Sequence, residues 1–326
     1  MNIRLPALGF AAALLLVGCG KAEDAPEGSV SDLAGSVAVD GSSTVAPISE
    51  AVAEEFQGVN PGVRVTVGIA GTGGGFKRFC AGETDVSDAS RPITEEEKAA
   101  CQTAGIEWVE LPVAWDGLSV VVNPKNDYAT CLTVEELKKI WQPNSTVTTW
   151  RDVRSEFPAQ QIKLYGPGTD SGTFDYFTEV VVGKAKSSRP DYQASEDDNV
   201  LVQGVAGDEY ALGYFGHAYV KENPDKVKSI GIDNGAGCVE PTDQTISDKT
   251  YAPLSRQLFL YVKRAALARP EVSAFVGYYM DNAPEATSST GYLPLDAAQY
   301  QQNKQVLAGG AGPAPTADSA AQLGAK

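Results

Sequence analysis

The chain has 326 residues, and 42 Asp and Glu against 26 Lys and Arg give it a formal charge of -16 and an isoelectric point near 4.5. A surface that acidic repels nucleic acid and anionic lipid headgroups, whose binding depends on Lys and Arg neutralising phosphates, so nucleic acid is not expected as a partner. With 43% hydrophobic residues and a mean hydropathy of -0.18, the chain can bury a substantial core, and its length suits two domains.

At the N-terminus, Arg4 precedes an apolar stretch from Ala7 to Val17 that is too short for a membrane span but suits the core of a signal peptide over residues 1–18. Leu16-Val17-Gly18-Cys19 resembles a bacterial lipobox, which would make Cys19 the lipidated start of the mature chain and its attachment to the membrane. Residues 19–35 then read as anchor and flexible tether. The remaining Cys80, Cys101, Cys131 and Cys238 imply two disulfides in an exported protein, with three possible connectivities. Cys80–Cys101 with Cys131–Cys238 is favoured because each bridge then stays within one expected domain. A metal centre is not expected, since CxxC is absent and His217 is the only histidine.

Short β-branched runs alternate with helical segments, which indicates an α/β fold. Val37-Ala38-Val39 reads as a strand, Gly41-Ser42-Ser43-Thr44 as a loop, and Pro47 as the start of a helix with Ile48, Val52 and Phe56 on one face. The pattern repeats with Val63 to Val67 as strand, Gly71-Thr72-Gly73-Gly74-Gly75 as turn, and a short helix beginning at Phe76. Leu118 to Val122 is a continuous apolar run of the kind found in buried parallel strands. Thr133-Val134-Glu135-Glu136 has the form of a capping box opening a helix through Trp141. A third copy of the strand–turn–helix pattern follows, with Ile162 to Tyr165 as strand, Gly166 to Gly172 as loop and Phe174 to Val182 as helix. Residues 183–199 read as polar surface, Tyr210 to Gly216 as strand and turn, and Leu258 to Val262 as a late buried strand. A helix after Pro270 carries Val272, Phe275, Val276 and Tyr279, and residues 309–326 read as a disordered tail.

Three strand-to-helix turns thus place hydroxyls or glycines at helix starts: Ser42-Ser43-Thr44, Thr72-Gly73-Gly74 and Ser171-Gly172-Thr173. Free helix N–H groups, the positive end of the helix dipole and neighbouring hydroxyls bind an oxyanion without a positive net charge. One such turn is ordinary capping, whereas three in one chain point to an anion site. Arg91, in Asp88-Ala89-Ser90-Arg91-Pro92, could add two parallel charge-assisted hydrogen bonds. The glycine-rich stretch lacks the Gly-Lys-Ser/Thr of a Walker A loop, and Gly168-Thr169-Asp170-Ser171-Gly172 is not a GxSxG nucleophile elbow. ATP hydrolysis and a Ser/His/Asp hydrolase are therefore not expected, and His217 reads as structural.

In order, Asp40 to Pro47, Gly71 to Lys77, Ala89 to Ile93 and Gly168 to Phe174 resemble the PstS family, the extracytoplasmic phosphate-binding proteins of bacterial ABC transporters. Gly213-Tyr214-Phe215-Gly216 and Gly291 to Leu295 also fit, so the resemblance covers about residues 36 to 305. It implies a type II periplasmic-binding-protein fold, with lobe one at residues 36–113 and 252–308 and lobe two at 114–251, joined by a two-segment hinge. The crossings would fall near Pro112 to Gly117 and Ser247 to Ser255. By motif, the phosphate ligands would be Ser43 and Thr44, Thr72 and Gly73, Ser90 and Arg91, and Ser171, Gly172 and Thr173. The implied partners are inorganic phosphate and ABC permease subunits, with no cofactor and a monomeric chain. The contrasting readings are an exported phosphatase or a receptor for another oxyanion on the same scaffold.

The chain departs from the family pattern in two places. Ser90 stands where well-known members carry an aspartate, and Pro167 where they carry an arginine four residues before the serine of Ser-Gly-Thr. The expectation is that Arg91 replaces that arginine from the opposite lobe, with Asp170 or Asp88 as orienting partner or proton acceptor.

Overall fold

The computed structural model describes residues 33–309 apart from 170 and 196; the signal segment, Cys19, most of the tether, Asp170 and the tail from 310 lie outside the described residues. The first run comprises β1 (Gly35–Gly41), α1 (Ala46–Val59), β2 (Val63–Gly68), α2 (Thr72–Cys80), β3 (Val86–Ala89) and α3 (Glu95–Thr103). The long strand β4 (Trp108–Val122) leads to β5 (Cys131–Thr133), α4 (Val134–Trp141) and α5 (Trp150–Val153). Then come β6 (Lys163–Pro167) and α6 (Gly172–Phe177), which runs on as a π-helical stretch over Thr178–Val182. They are followed by β7 (Gln193–Ser195), α7 (Asp198–Gly207), β8 (Ala211–Gly216), α8 (His217–Glu222), β9 (Lys228–Ser229), β10 (Gly231–Asp233), β11 (Cys238–Val239) and α9 (Asp243–Ser247). The chain returns through β12 (Ser255–Lys263), α10 (Pro270–Ser289), β13 (Leu293–Pro294) and α11 (Ala297–Leu307).

The main sheet runs β2-β1-β3-β12-β4-β8-β6-β7. Two parallel sets, β2-β1-β3 and β8-β6-β7, are joined by the antiparallel strands β12 and β4. The first part of β4, Trp108 to Gly117, pairs with β12, and the rest, Leu118 to Val122, pairs with β8, so one strand serves both sets. The run Leu118 to Val122 is accordingly antiparallel, not parallel as its composition suggests. It is buried along its whole length, and burial on both faces erases the alternation that distinguishes antiparallel strands. Pro112 to Gly117 lies inside this strand, and Ser247 to Ser255 connects α9 to β12.

Around β1, Val37 and Val39 pack with Ile48, Val52 and Phe56 of α1, and α10 covers them with Phe275, Val276 and Tyr279. In the other set, Trp141, Phe177 and Tyr214 make a ring cluster, Phe177 stacking on Tyr214 at 3.7 Å between centroids. Disulfides join Cys80 to Cys101 and Cys131 to Cys238, the pairing favoured from the sequence. The capping box of Thr133 and Glu136 forms as expected. Residues 183–199 are not uniformly surface, because Arg189 is buried. It donates to the Ile140 and Val147 carbonyls and pairs with Asp191, so its charge and its N–H groups are satisfied.

The second turn differs from expectation in where its helix begins: α2 starts at Thr72, so Gly73 to Gly75 form its first turn. Their use is close approach. A Cβ on Gly75 would lie 2.5 Å from the Gly41 Cα and 3.0 Å from the Asp40 carbonyl, so α2 rests directly on the end of β1. Gly75→Ala should therefore lower stability by about 1–3 kcal/mol through overpacking at a backbone contact that cannot yield, as measured by denaturant unfolding. A change near zero would mean that α2 and β1 can separate freely.

Candidate functional site

The first turn is shaped by the strand beside it. Gly41 has φ +149°, and a Cβ there would fall 2.1 Å from the Asp88 carbonyl of β3, so only glycine fits. The Ser42 N–H donates to that carbonyl at 2.9 Å, and the Ser42 hydroxyl accepts from the Thr44 N–H at 3.2 Å. The second turn is bonded to the first through the Gly71 N–H and the Gly41 carbonyl, 2.8 Å apart. Ser90 is joined to it: the Thr72 hydroxyl accepts from the Ser90 N–H at 3.1 Å and shares a hydrogen bond with the Ser90 hydroxyl at 2.9 Å.

The third turn meets the first at backbone distance. Ser171 caps α6 by accepting from the Thr173 N–H at 3.1 Å. A Cβ on Gly172 would stand 2.4 Å from Thr44 Oγ1, 2.8 Å from Thr44 N and 3.0 Å from Ser43 Oγ. Residues that lie far apart in the chain therefore come together here, with Ser43, Ser171, Gly172 and Thr173 half-buried and Thr44 buried.

Arg91 borders the second turn, with its Nη2 3.7 Å from where a Gly73 Cβ would be. Its fork is engaged by Glu97, Nη1 and Nη2 each donating at 2.9 Å, and it lies over the Phe76 ring. The Glu97 bond raises the Arg91 pKa; burial works against the Glu97 carboxylate, yet Arg91 and Thr94 hold its pKa below the ordinary value. The orienting carboxylate among the described residues is thus Glu97. It was overlooked because Glu95-Glu96-Glu97 reads as a solvated acidic run, whereas Glu97 also closes the capping box with Thr94.

Asp88 does not orient Arg91. Its carboxylate is fully buried toward α1 and α10, with Oδ1 accepting from the Ser49 hydroxyl at 3.0 Å and Tyr279 beyond that serine. Among the described residues its Oδ2 has no hydrogen-bond partner.

Sequence reasoning missed Arg256, at the start of β12. It lies opposite Asp116 of β4 in the sheet register, and its Nε donates to Asp116 Oδ2 at 3.0 Å. Its Nη2 donates to Thr44 Oγ1 at 2.7 Å, and its guanidinium sits 3.7 Å from the centroid of the Tyr176 ring. The Tyr176 hydroxyl in turn donates to the Pro253 carbonyl at 2.6 Å. Arg256 and Asp116 side chains are 11% and 3% exposed, so this is a nearly dry ion pair. Burial raises the Asp116 pKa, and the Arg256 charge opposes that rise. The only sequence signal was an isolated arginine ahead of an apolar strand.

His217 stands between Ser119, whose hydroxyl is 3.0 Å from Nδ1, and Asp243, 3.4 Å from Nε2. Ser119 is fully buried in β4, so its hydroxyl has no open face for a substrate, and burial lowers the His217 pKa. Among the described residues, no group of three His, Cys, Asp or Glu gathers as metal ligands would.

Burial lifts the Asp88 pKa to about 7, with the Ser49 hydrogen bond opposing and the Asp40 and Glu50 charges adding to the rise. The folded value lies above the unfolded one, so unfolding releases a proton between about pH 4 and pH 7, and stability falls as pH rises through that window. Asp88→Asn stays neutral, and its stability relative to the parent chain should therefore increase across the window in urea titrations. A difference that is constant with pH would contradict the buried neutral carboxyl.

A family model described as a PBP superfamily domain matches residues 27–283. The protein SphX of Synechocystis is 51% identical over 272 residues, 82% of this chain and 81% of that one. The phosphate-binding protein PstS of Staphylococcus saprophyticus is 38% identical over 298 residues, 91% of each. A crystal structure of a possible phosphate binding protein from Planctomyces limnophilus superposes with a TM-score of 0.82 at 52% identity, covering 85% of this chain and 99% of that one.

Proposed function

Because the chain belongs to the PstS family of phosphate-binding proteins, we propose that it is an extracytoplasmic receptor that captures inorganic phosphate and delivers it to the permease subunits of an ABC importer. The observation that carries this reading is the meeting of the first and third turns at Thr44, with the second turn tied to the first through Gly41. We assign Ser43, Thr44, Thr72, Gly73, Ser90, Ser171, Gly172 and Thr173 as donors to the phosphate oxygens. Such donors hold a dianion through hydrogen bonds and local dipoles, so the net charge of -16 is no obstacle. Micromolar capture needs about 8 kcal/mol net, within reach of roughly seven to ten such bonds once ordering costs are met.

The first two turns belong to the proposed lobe of residues 36–113 and 252–308, and the third to the lobe of 114–251. Phosphate bridging the turns would favour the closed arrangement, and closure would signal occupancy to the permease. The hinge we assign to the two crossings is Pro112 to Gly117 and Ser247 to Ser255. Cleavage before Cys19 and its lipidation would hold a monomeric receptor at the periplasmic or cell-surface face of the membrane. Arg91, with its fork on Glu97, lends positive potential to the rim of the second turn.

Calorimetric titration of the mature chain with phosphate, and competition with arsenate, sulfate and molybdate, tests the reading. Phosphate should bind one to one, arsenate should displace it as a protonated tetrahedral analogue, and sulfate should compete poorly. Arg91→Ala should weaken phosphate binding by less than about tenfold, as expected for a partly exposed charge already paired. Preference for sulfate or molybdate would make the chain a receptor for another oxyanion, and turnover of a chromogenic phosphate ester would make it a phosphatase.

A further inference from the structure

We propose that Arg256 is the guanidinium that contacts the bound oxyanion, presented to it by Asp116 and Tyr176. The inference rests on the phosphate reading above and deepens it. A buried arginine is unfavourable unless its charge and N–H groups are matched, so its partners reveal what it is placed for. Here they fix it from two sides. Asp116, opposite in the sheet, takes Nε at 3.0 Å, and the Tyr176 ring supports the flat face at 3.7 Å. What remains is the outer edge of the fork, and that edge points at the first turn, with Nη2 2.7 Å from Thr44 Oγ1.

Thr44 Oγ1 is the same atom that a Gly172 Cβ would approach to 2.4 Å. The fork therefore reaches the point where the first and third turns converge. An oxyanion bonded to the Thr44 hydroxyl and to N–H groups of both turns lies within one hydrogen bond of Arg256. A guanidinium carries five N–H groups in a plane, so Arg256 can keep its Asp116 bond while turning others to the anion. Arg91 differs in its partners: both of its Nη atoms are engaged by Glu97, and it borders Gly73 of the second turn, whereas Arg256 bonds Thr44 of the first. Position in the sheet adds a further reason. Arg256 and Asp116 sit on β12 and β4, the adjoining antiparallel strands between the two parallel sets, so the charge is based in the centre of the main sheet. Closure of the turns over the anion then completes a site whose cation is already in place.

The test compares phosphate titrations of the parent chain, Arg256→Lys and Arg256→Gln, with the fold checked by thermal unfolding. Arg256→Lys keeps the charge but cannot bond Asp116 and the anion as a fork, and it should bind phosphate at least tenfold more weakly. Arg256→Gln should lose at least a hundredfold. If Arg256→Gln leaves Asp116 too exposed to repulsion to fold, the double variant Asp116→Asn with Arg256→Gln removes both charges and should show the same loss. In the parent chain labelled with 15N-arginine, the Nε–H signal that disappears in Arg256→Lys should shift on adding inorganic phosphate. Folded variants that bind within twofold of the parent, or an Arg256 signal that does not move while phosphate binds, would overturn the role of Arg256 and leave the phosphate reading standing. A parent chain that binds no phosphate would overturn the phosphate reading itself.

Discussion

The backbone contact between Gly172 and Thr44 is the constraint on which the site depends. Helix-starting turns present N–H groups in many proteins, and a serine of the turn can take one of them, as Ser171 does for Thr173 at the start of α6 and Ser42 does for Thr44 in the loop ahead of α1. What makes a joint site is that glycine lets two of these turns meet without side chains between them. Gly41 and Gly75 do the same for the first and second turns, so the three turns form one packed group. The sheet supplies the frame, since β1, β3 and β6 each end at or just before one of the site segments.

Charge is handled on two length scales. At long range, the acidic surface opposes an approaching anion, and that repulsion is screened by salt within about 10 Å at 0.1 M. At short range, the Arg256–Asp116 pair is mostly withdrawn from water, where interactions are screened least. Taking two ions from water costs several kcal/mol each, and the pair offsets this with a 3.0 Å charge-assisted bond, the Thr44 hydrogen bond and the Tyr176 ring. A buried pair of this kind is weak evidence of stability, since apolar side chains in the same space often stabilise a fold equally well, and its position beside Thr44 fits a role in recognition.

The three turns were legible in the sequence because each is local: a β-branched run, a cluster of small residues and a helical face follow one another within a few positions. The disulfide pairing was favoured because each bridge falls within one expected lobe, and both bridges form. The direction of Leu118 to Val122 was not legible, because a strand buried on both faces carries no alternation to read. Arg256 was hidden for a different reason. Its link to Thr44 spans 212 positions, and nothing next to it in the chain marks it as facing an anion. Arg91 had the opposite fault: its surroundings advertise a free guanidinium, and only the helical turn that brings Glu97 back onto it reveals that the fork is occupied. Asp88 touches the site only through its backbone: its carbonyl, directed along the sheet, serves the first turn, while its side chain stands off the sheet and lies in the core.

The central claim is that recognition is short-range, made by turn donors and one buried cation in a protein whose net field opposes the ligand. The most direct measurement is the phosphate dissociation constant as salt rises from about 20 mM to about 500 mM, over which the Debye length falls several-fold. The account predicts an affinity that stays nearly constant or improves slightly, as screening removes long-range repulsion and leaves the desolvated contacts intact. A steep loss of affinity with salt would mean that exposed positive charge does the binding, and would contradict the account.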